Sequence, residues 1–154
     1  MDDPAAKRLP VERPPLAPPV REGDVVRAPW PAVPIAAIDP ADIAAVASVL
    51  LTRPGHEGAA LTLSGPQPLT PGEQVAALGR ALRRPLRYEP LSDDEARASM
   101  ADDSTPASFI DAFFRFFSAG EFDDSAVTTT VHEITGRPPP HLRSLGARSR
   151  RPFR

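Results

Sequence analysis

The 154-residue sequence predicts an α/β domain, and three observations carry that prediction. Two neighbouring segments each run from a short apolar stretch into a capped, proline-initiated helix. A short alternating stretch, "LRYEPL", follows the second of these helices. Beyond Leu91 the apolar spacing becomes purely helical.

In "PIAAIDPADIAAVASVLL" the apolar run Pro34 to Ile38 reads as a strand. Asp39 suits the N-cap, because its carboxylate can accept from first-turn amides. Pro40 suits N1, where a missing N–H costs nothing. Asp42 places negative charge against the helix dipole. Ile43, Val46, Leu50 and Leu51 recur at helical spacing and predict one apolar face. "TRPGHEG" then ends the helix.

The second segment repeats the design. "AALTLSG" predicts a strand with Leu61 and Leu63 on one face, ended by Ser64-Gly65-Pro66. Thr70, Pro71 and Glu73 form a Thr-x-x-Glu capping box with proline at N1. Val75, Leu78 and Leu82 face the core, Arg80, Arg83 and Arg84 lie toward the negative end, and Pro85 stops the helix. "LRYEPL" predicts an exposed or edge strand. Ser92 to Glu95 opens another capping box. In "STPASFIDAFFRFFSAG", Thr105 precedes Pro106 at the helix start and Gly120 is the expected C′ residue. A short helix is expected around Val131 to Thr135, stopped by Gly136. The predicted order is β-α-β-α-β followed by small helices.

Composition sets the outer limits. The chain is 41% hydrophobic, carries a net charge of −2 and contains no cysteine. Disulfides and thiolate metal sites are therefore excluded, and a reducing cytoplasmic setting fits. No apolar run of about 18 residues and no hydrophobic signal segment is present, which argues against a membrane span or a secretory signal. The 21 prolines crowd the two ends. Residues 1–22 read as a disordered or loosely packed leader, residues 23–139 as the folded region, and residues 140–154 as a basic disordered tail.

Three motifs in order carry a family resemblance: "IDPADIA" at the strand-to-helix junction, "LSGPQPLTPGE", and the late "VHEITGRPP". Together with "LAPPVREGDVVRAPW", which resembles a preceding loop, residues 16–139 resemble the C-terminal half of NmrA-like proteins. These are atypical members of the extended short-chain dehydrogenase/reductase superfamily, described as NAD(P)-binding or nucleotide-sugar-epimerase-like proteins. The resemblance implies the C-terminal portion of a Rossmann-like fold. For intact relatives it implies NAD(P)H binding, with oxidoreductase activity on a quinone- or azo-like acceptor or a redox-sensing role.

The departures from that pattern are specific. The family's glycine-rich turn lets amides at a helix N-terminus approach the dinucleotide pyrophosphate. The nine glycines here never fall in a GxxGxxG spacing, and Gly55 to Gly58 read as a helix-ending turn. The superfamily's Tyr-x-x-x-Lys pair is also absent, since Tyr88 is followed at that offset by Ser92 and Lys7 is the only lysine. The ends read as translation outside the ancestral frame, or as a truncated gene product. The expectation is thus a substrate-side half that binds no cofactor and has no activity alone. Small-molecule substrate, a homo-oligomer or a partner supplying the missing half are the interactions considered.

Candidate site residues are few. His56, His132 and His141 lack the spacing of zinc ligands, so no metal site is expected. Ser64 reads as a turn residue, and no catalytic residue is assigned. Because the family's strand-to-helix junction borders the cofactor and substrate cleft, Ile38 and Asp42 are carried over as pocket candidates; capping and first-turn charge are the plainer explanation of Asp39 and Asp42. Trp30 is either a loop anchor or a pocket wall. Phe109, Phe113, Phe116 and Phe117 can fill one helix face, leaving Phe114 toward a second surface, and Phe113 joins the pocket candidates. The alternative reading is a small interaction module using an exposed sheet edge or the phenylalanine-rich helix. Arg143, Arg148, Arg150, Arg151 and Arg154 could hold nucleic acid nonspecifically; the acidic remainder of the chain argues against it.

Overall fold

A computed structural model describes residues 23–101, 105–121 and 123–142. The leader 1–22 and the five arginines of the tail lie outside the described residues. Among those described, two strands and five helices follow one another: β1 (Val25–Ala28), α1 (Pro40–Thr52), α2 (Pro71–Leu82), β2 (Arg87–Pro90), α3 (Asp93–Met100), α4 (Ala107–Phe117) and α5 (Thr130–Thr135). The α/β class is as predicted, but the strands are differently placed.

"LRYEPL" does form a strand, and it pairs in parallel with β1, Val26 opposite Tyr88 and Ala28 opposite Pro90. From its sequence "GDVVRAPW" resembles only part of a preceding loop, so β1 is a strand that the local pattern does not announce. The two strands expected at Pro34 to Ile38 and around Leu61 to Leu63 do not form ladders. Ile35 makes an isolated antiparallel bridge with Leu69. The next residue turns elsewhere: Ala36 N–H donates to Asp124 O at 2.8 Å, and Ala36 O accepts from Gly65 N–H at 2.8 Å. Successive groups thus bond to three different segments, where a strand needs one continuous partner.

Local capping chemistry is realised as read. Asp39 accepts from Ala41 N–H ahead of Pro40. Both boxes close, Thr70 with Glu73 and Ser92 with Glu95. The α2 helix ends on Arg83 in a left-handed cap, φ 56°, two residues before Pro85. Gly136 caps α5 at φ 74°. The α4 start differs: Pro106 itself is the cap residue and no side chain caps the helix, so Thr105 stands outside it.

The α2 helix docks on β2 through a lane of small residues. A Cβ at Gly72 would lie 3.3 Å from Tyr88 Cδ1, and one at Gly79 would lie 3.0 Å from Arg84 O and 3.5 Å from Leu86 Cβ. Their seven-residue spacing puts both on one face. Between them Val75 is buried against Val26, with Leu82, Leu86 and Tyr88 packed around the pair. A second cluster joins Ala96, Ile110 and Phe114 to Trp30, Leu91 and Met100. A third contact brings α1 against α5, where Val46 and Val131 are fully buried.

Two face assignments are corrected. In α1 Val46 is inward as expected, joined by Asp42, whereas Ile43 and Leu51 remain 45% and 86% exposed. In α4 the inward residues are Ile110 and Phe114, whereas Phe109 and Phe116 are exposed. Phe114 is thus the core residue of its helix, because Ile110 and Phe114 are four apart and together meet Ala96 of α3.

Candidate functional site

The candidate site is the aromatic corner that joins the loop after β1 to α3 and α4. Trp30 holds a left-handed backbone, φ 54°, which is costly for a bulky residue and persists only where packing over-determines it. Here the packing is aromatic. The Trp30 ring lies 6.5 Å from Phe113 at an interplanar angle of 7°, 5.4 Å from Phe114 edge-on, and 4.7 Å from Phe117. Its indole N–H donates to Ser118 Oγ at 2.7 Å. Of the two roles considered for Trp30, the anchor is the one these contacts describe.

The aromatic row continues outward. Phe109 meets Phe113 edge-on at 4.9 Å. These two rings, with Ser99, Met100, Thr105 and Ile110, line a cleft of ≈ 310 Å³. On the other side of Phe114, the Arg97 guanidinium sits 4.0 Å from the ring centroid and pairs with Asp111 at 2.8 Å. The aromatic spacing of α4 was legible in the sequence. Arg97, Ser99 and Met100 were not, since "EARASM" signals only a capped helix and gives no hint of which turn meets α4.

The other two pocket candidates lie in a different pairing. Ile38 is half-buried immediately before the cap of α1. Asp42 is 3% exposed, and its Oδ1 stands 3.6 Å from Arg137 Nη2. Trp30 and Phe113 are therefore brought together, while Asp42 is engaged by the residue that follows the Gly136 cap. Nearby, Thr128 N–H donates to the buried Ser64 Oγ at 2.7 Å and Thr128 Oγ1 donates to Thr62 O at 3.2 Å. Those bonds tie the 124–128 segment to the extended run before Gly65. Ser64 is a turn residue serving that join, as its sequence context suggested.

Titration behaviour is local. The Ser92 backbone N–H and then Arg27 hold the Glu95 carboxyl down at about 2, with Arg27 Nη2 at 2.6 Å. Thr70 lowers Glu73 in the same way. Burial raises Tyr88, whose hydroxyl donates to Ala28 O at 2.9 Å; that bond fastens β2 to β1 and occupies the phenol in packing. His141 Nδ1 lies 2.9 Å from Gln67 Oε1. Among the described residues no cluster of three or more metal-ligating side chains occurs, and no helix is long and apolar enough to cross a membrane.

No protein-family model matches the chain. It is 42% identical over 132 residues to a (4-alkanoyl-5-oxo-2,5-dihydrofuran-3-yl)methyl phosphate reductase of Streptomyces griseus, covering 85% of this chain and 46% of that protein. It is 42% identical over 102 residues to an NAD(P)H azoreductase of Xenophilus azovorans, covering 66% and 36%. Among solved structures it resembles the NADPH-dependent quinone oxidoreductase QOR2 of Escherichia coli, TM-score 0.66 at 25% identity, covering 86% of this chain and 48% of that one. A nucleoside-diphosphate-sugar epimerase of Staphylococcus aureus has the same fold over the matched part, TM-score 0.67 at 22% identity, covering 86% and 47%. The chain spans less than half the length of the relatives it matches, and over that span it has the fold of NAD(P)-dependent reductases and epimerase-like proteins.

Proposed function

We propose that this chain forms the acceptor-side half of an NAD(P)H-dependent oxidoreductase of the NmrA-like type, and that the dinucleotide-binding unit lies in sequence outside these residues. The observation that carries the reading is the 42% identity over 132 residues to a reductase, of which the chain spans only 46%. The absence of a GxxGxxG turn from the sequence agrees with it, since pyrophosphate binding depends on that backbone. The chain then contributes the walls against which an acceptor is held, with Phe113, Ile38 and Asp42 as pocket candidates and Trp30 bracing Phe113 from behind, and relies on another unit for hydride.

Titration of the purified chain with NADPH tests this. Binding should not saturate at micromolar concentrations; a micromolar Kd would refute the division of labour. A chimera in which residues 23–139 replace the matching part of the Xenophilus azoreductase should oxidise NADPH in the presence of an acceptor, and a folded but inert chimera would count against the reductase reading.

A second reading, a small interaction module using the phenylalanine-rich helix, is favoured by the 56% exposure of Phe109 and 42% exposure of Phe116 on α4. Exposed aromatic rings that join into one contiguous patch would mark a surface for a partner or a second copy. Size-exclusion chromatography separates the cases, because a compact monomer at all concentrations argues against an obligate partner surface.

A further inference from the structure

We propose that residues 29–34, the strap between β1 and the Ile35–Leu69 bridge, form a two-state latch. In the closed state, the one the structure shows, Trp30 is clamped on α4. In the open state Trp30 returns to extended backbone and uncovers the faces of Phe113 and Phe117 that it packs against. The equilibrium needs no cofactor; only its use, as control of access to Phe113 beside an acceptor, rests on the reductase reading.

The strap is pinned at its ends and lightly held between them. At one end Ala28 O accepts from the Tyr88 hydroxyl at 2.9 Å and from Leu91 N–H at 3.1 Å. At the other, Ile35 and Leu69 exchange both backbone hydrogen bonds at 3.0 Å. Between these points Pro29, Pro31 and Pro34 have no N–H to donate. Val33 N–H donates to Trp30 O at 3.1 Å, which closes a turn inside the strap itself. Among the described residues, the one hydrogen bond from the strap to the rest of the fold runs from the Trp30 indole to Ser118 Oγ. The segment can therefore leave α4 without breaking the β1–β2 ladder.

Its closed conformation opposes its own local preferences. A φ of 54° at Trp30 is sterically costly for a bulky side chain. Trp30 also precedes Pro31, and a proline ring drives the residue before it to extended backbone with negative φ. Local sequence thus favours the open strap. Tertiary contact favours the closed one: the rings of Phe113, Phe114 and Phe117, at 6.5, 5.4 and 4.7 Å, and the Ser118 hydroxyl at 2.7 Å. Strain balanced by a few contacts leaves two states close in free energy. Because proline fixes φ at three of the six positions, few intermediate shapes are open to the strap, and it switches where an ordinary loop would loosen.

Trp30 is the chain's only tryptophan, so the full chain labelled with 5-fluorotryptophan reports the latch through one fluorine NMR signal. Acrylamide quenching of Trp30 fluorescence reports the same equilibrium whatever its rate. The closed state should dominate, with an open population of about 1–10% visible as exchange broadening or a second peak. Ser118→Ala, at an exposed position, should raise the open population roughly two- to tenfold and increase quenching. Pro31→Ala separates a latch from a loose loop. Removing a proline ordinarily adds conformational freedom, but here it lifts the restriction on Trp30 without touching α4. It should lower the open population at least about twofold and decrease quenching. Equal or greater quenching in Pro31→Ala, unchanged quenching in Ser118→Ala, or a fluorine signal free of exchange in the parent and both variants, with circular dichroism unchanged, would overturn the proposal. Failure of the NADPH or chimera experiments with these results intact would remove the reductase reading and leave the latch standing.

Discussion

Arg27 of β1 reaches Glu95 of α3 at 2.6 Å, and the same carboxylate closes the capping box by accepting from Ser92 N–H at 2.9 Å. One side chain thus starts a helix and ties it to the sheet. Glu95 is held down at about 2 by the Ser92 backbone first and Arg27 second. A carboxyl whose folded pKa is depressed stabilises the fold above its ordinary value, here 4.5, and that contribution is lost as pH falls through the folded value. Glu95→Gln should therefore lower the thermal midpoint at pH 7, with the gap to the parent closing between about pH 4.5 and about pH 2. Melting curves at pH 7, 4 and 2 check this, and a gap that persists at pH 2 would contradict the linkage.

Gly65 is buried where the run after Leu63 passes the run before α1. Its N–H donates to Ala36 O, and an added Cβ would sit 1.9 Å from Ala37 O. No rotamer relieves a clash with backbone, so Gly65→Ala has to separate the two segments. A loss of about 2–4 kcal/mol is expected, in the upper range for overpacking. Gly23→Ala is the control, since nothing lies within 4 Å of its Cβ and its cost should stay within about 0.5 kcal/mol. Denaturant midpoints for the two variants measure the difference.

The capping boxes and the helix stops were legible because they are local: Thr70 and Glu73, or Ser92 and Glu95, recognise each other within one turn. The face of α1 was not. "PADIAAVASVLLT" is apolar nearly all round, so periodicity could not choose between Ile43 with Leu51 and the face that α5 covers. That choice came from the contact with α5, some eighty residues away in sequence. The β1 strand was missed for a similar reason, since four residues of "VVRA" become a strand only through a parallel partner at Arg87–Pro90. The aromatic half of the candidate site could be read from the spacing of Phe109 and Phe113. Its α3 half depended on the interhelical contact between Ala96 and Ile110, which no local pattern encodes.

Trp30 and Ser118 form a hydrogen bond between the loop after β1 and the end of α4, at 2.7 Å. Trp30→Phe keeps most of the aromatic packing but removes the donor, and Ser118→Ala removes the acceptor. Each single variant should cost about 1 kcal/mol from this bond, with the phenylalanine variant losing somewhat more through its smaller ring. In a double-mutant cycle the two should couple by roughly 0.5–1.5 kcal/mol, because the second substitution removes a bond already broken. Additive losses would show that Ser118 does not hold the indole. Since Trp30 is the chain's only tryptophan, its fluorescence reports the same corner directly, and a red shift in Ser118→Ala would mark the ring loosening toward water.

Asp42 and Arg137 join the first turn of α1 to the residue after the α5 cap. The carboxylate side chain is 4% exposed and the guanidinium 58%, at 3.6 Å. An exposed arginine at that distance is a partly screened partner, so the pair is worth far less than a fully buried one. Arg137→Gln should cost about 1 kcal/mol at low salt and less at 1 M, where the Debye length is roughly 3 Å. Asp42→Ala should cost more, about 2 kcal/mol, because it also empties a buried position beside the packed helix pair and removes an acid from the helix start. Chemical denaturation of both variants at low and high salt measures these differences. A salt-independent loss in Arg137→Gln would assign the effect to packing of the arginine stem.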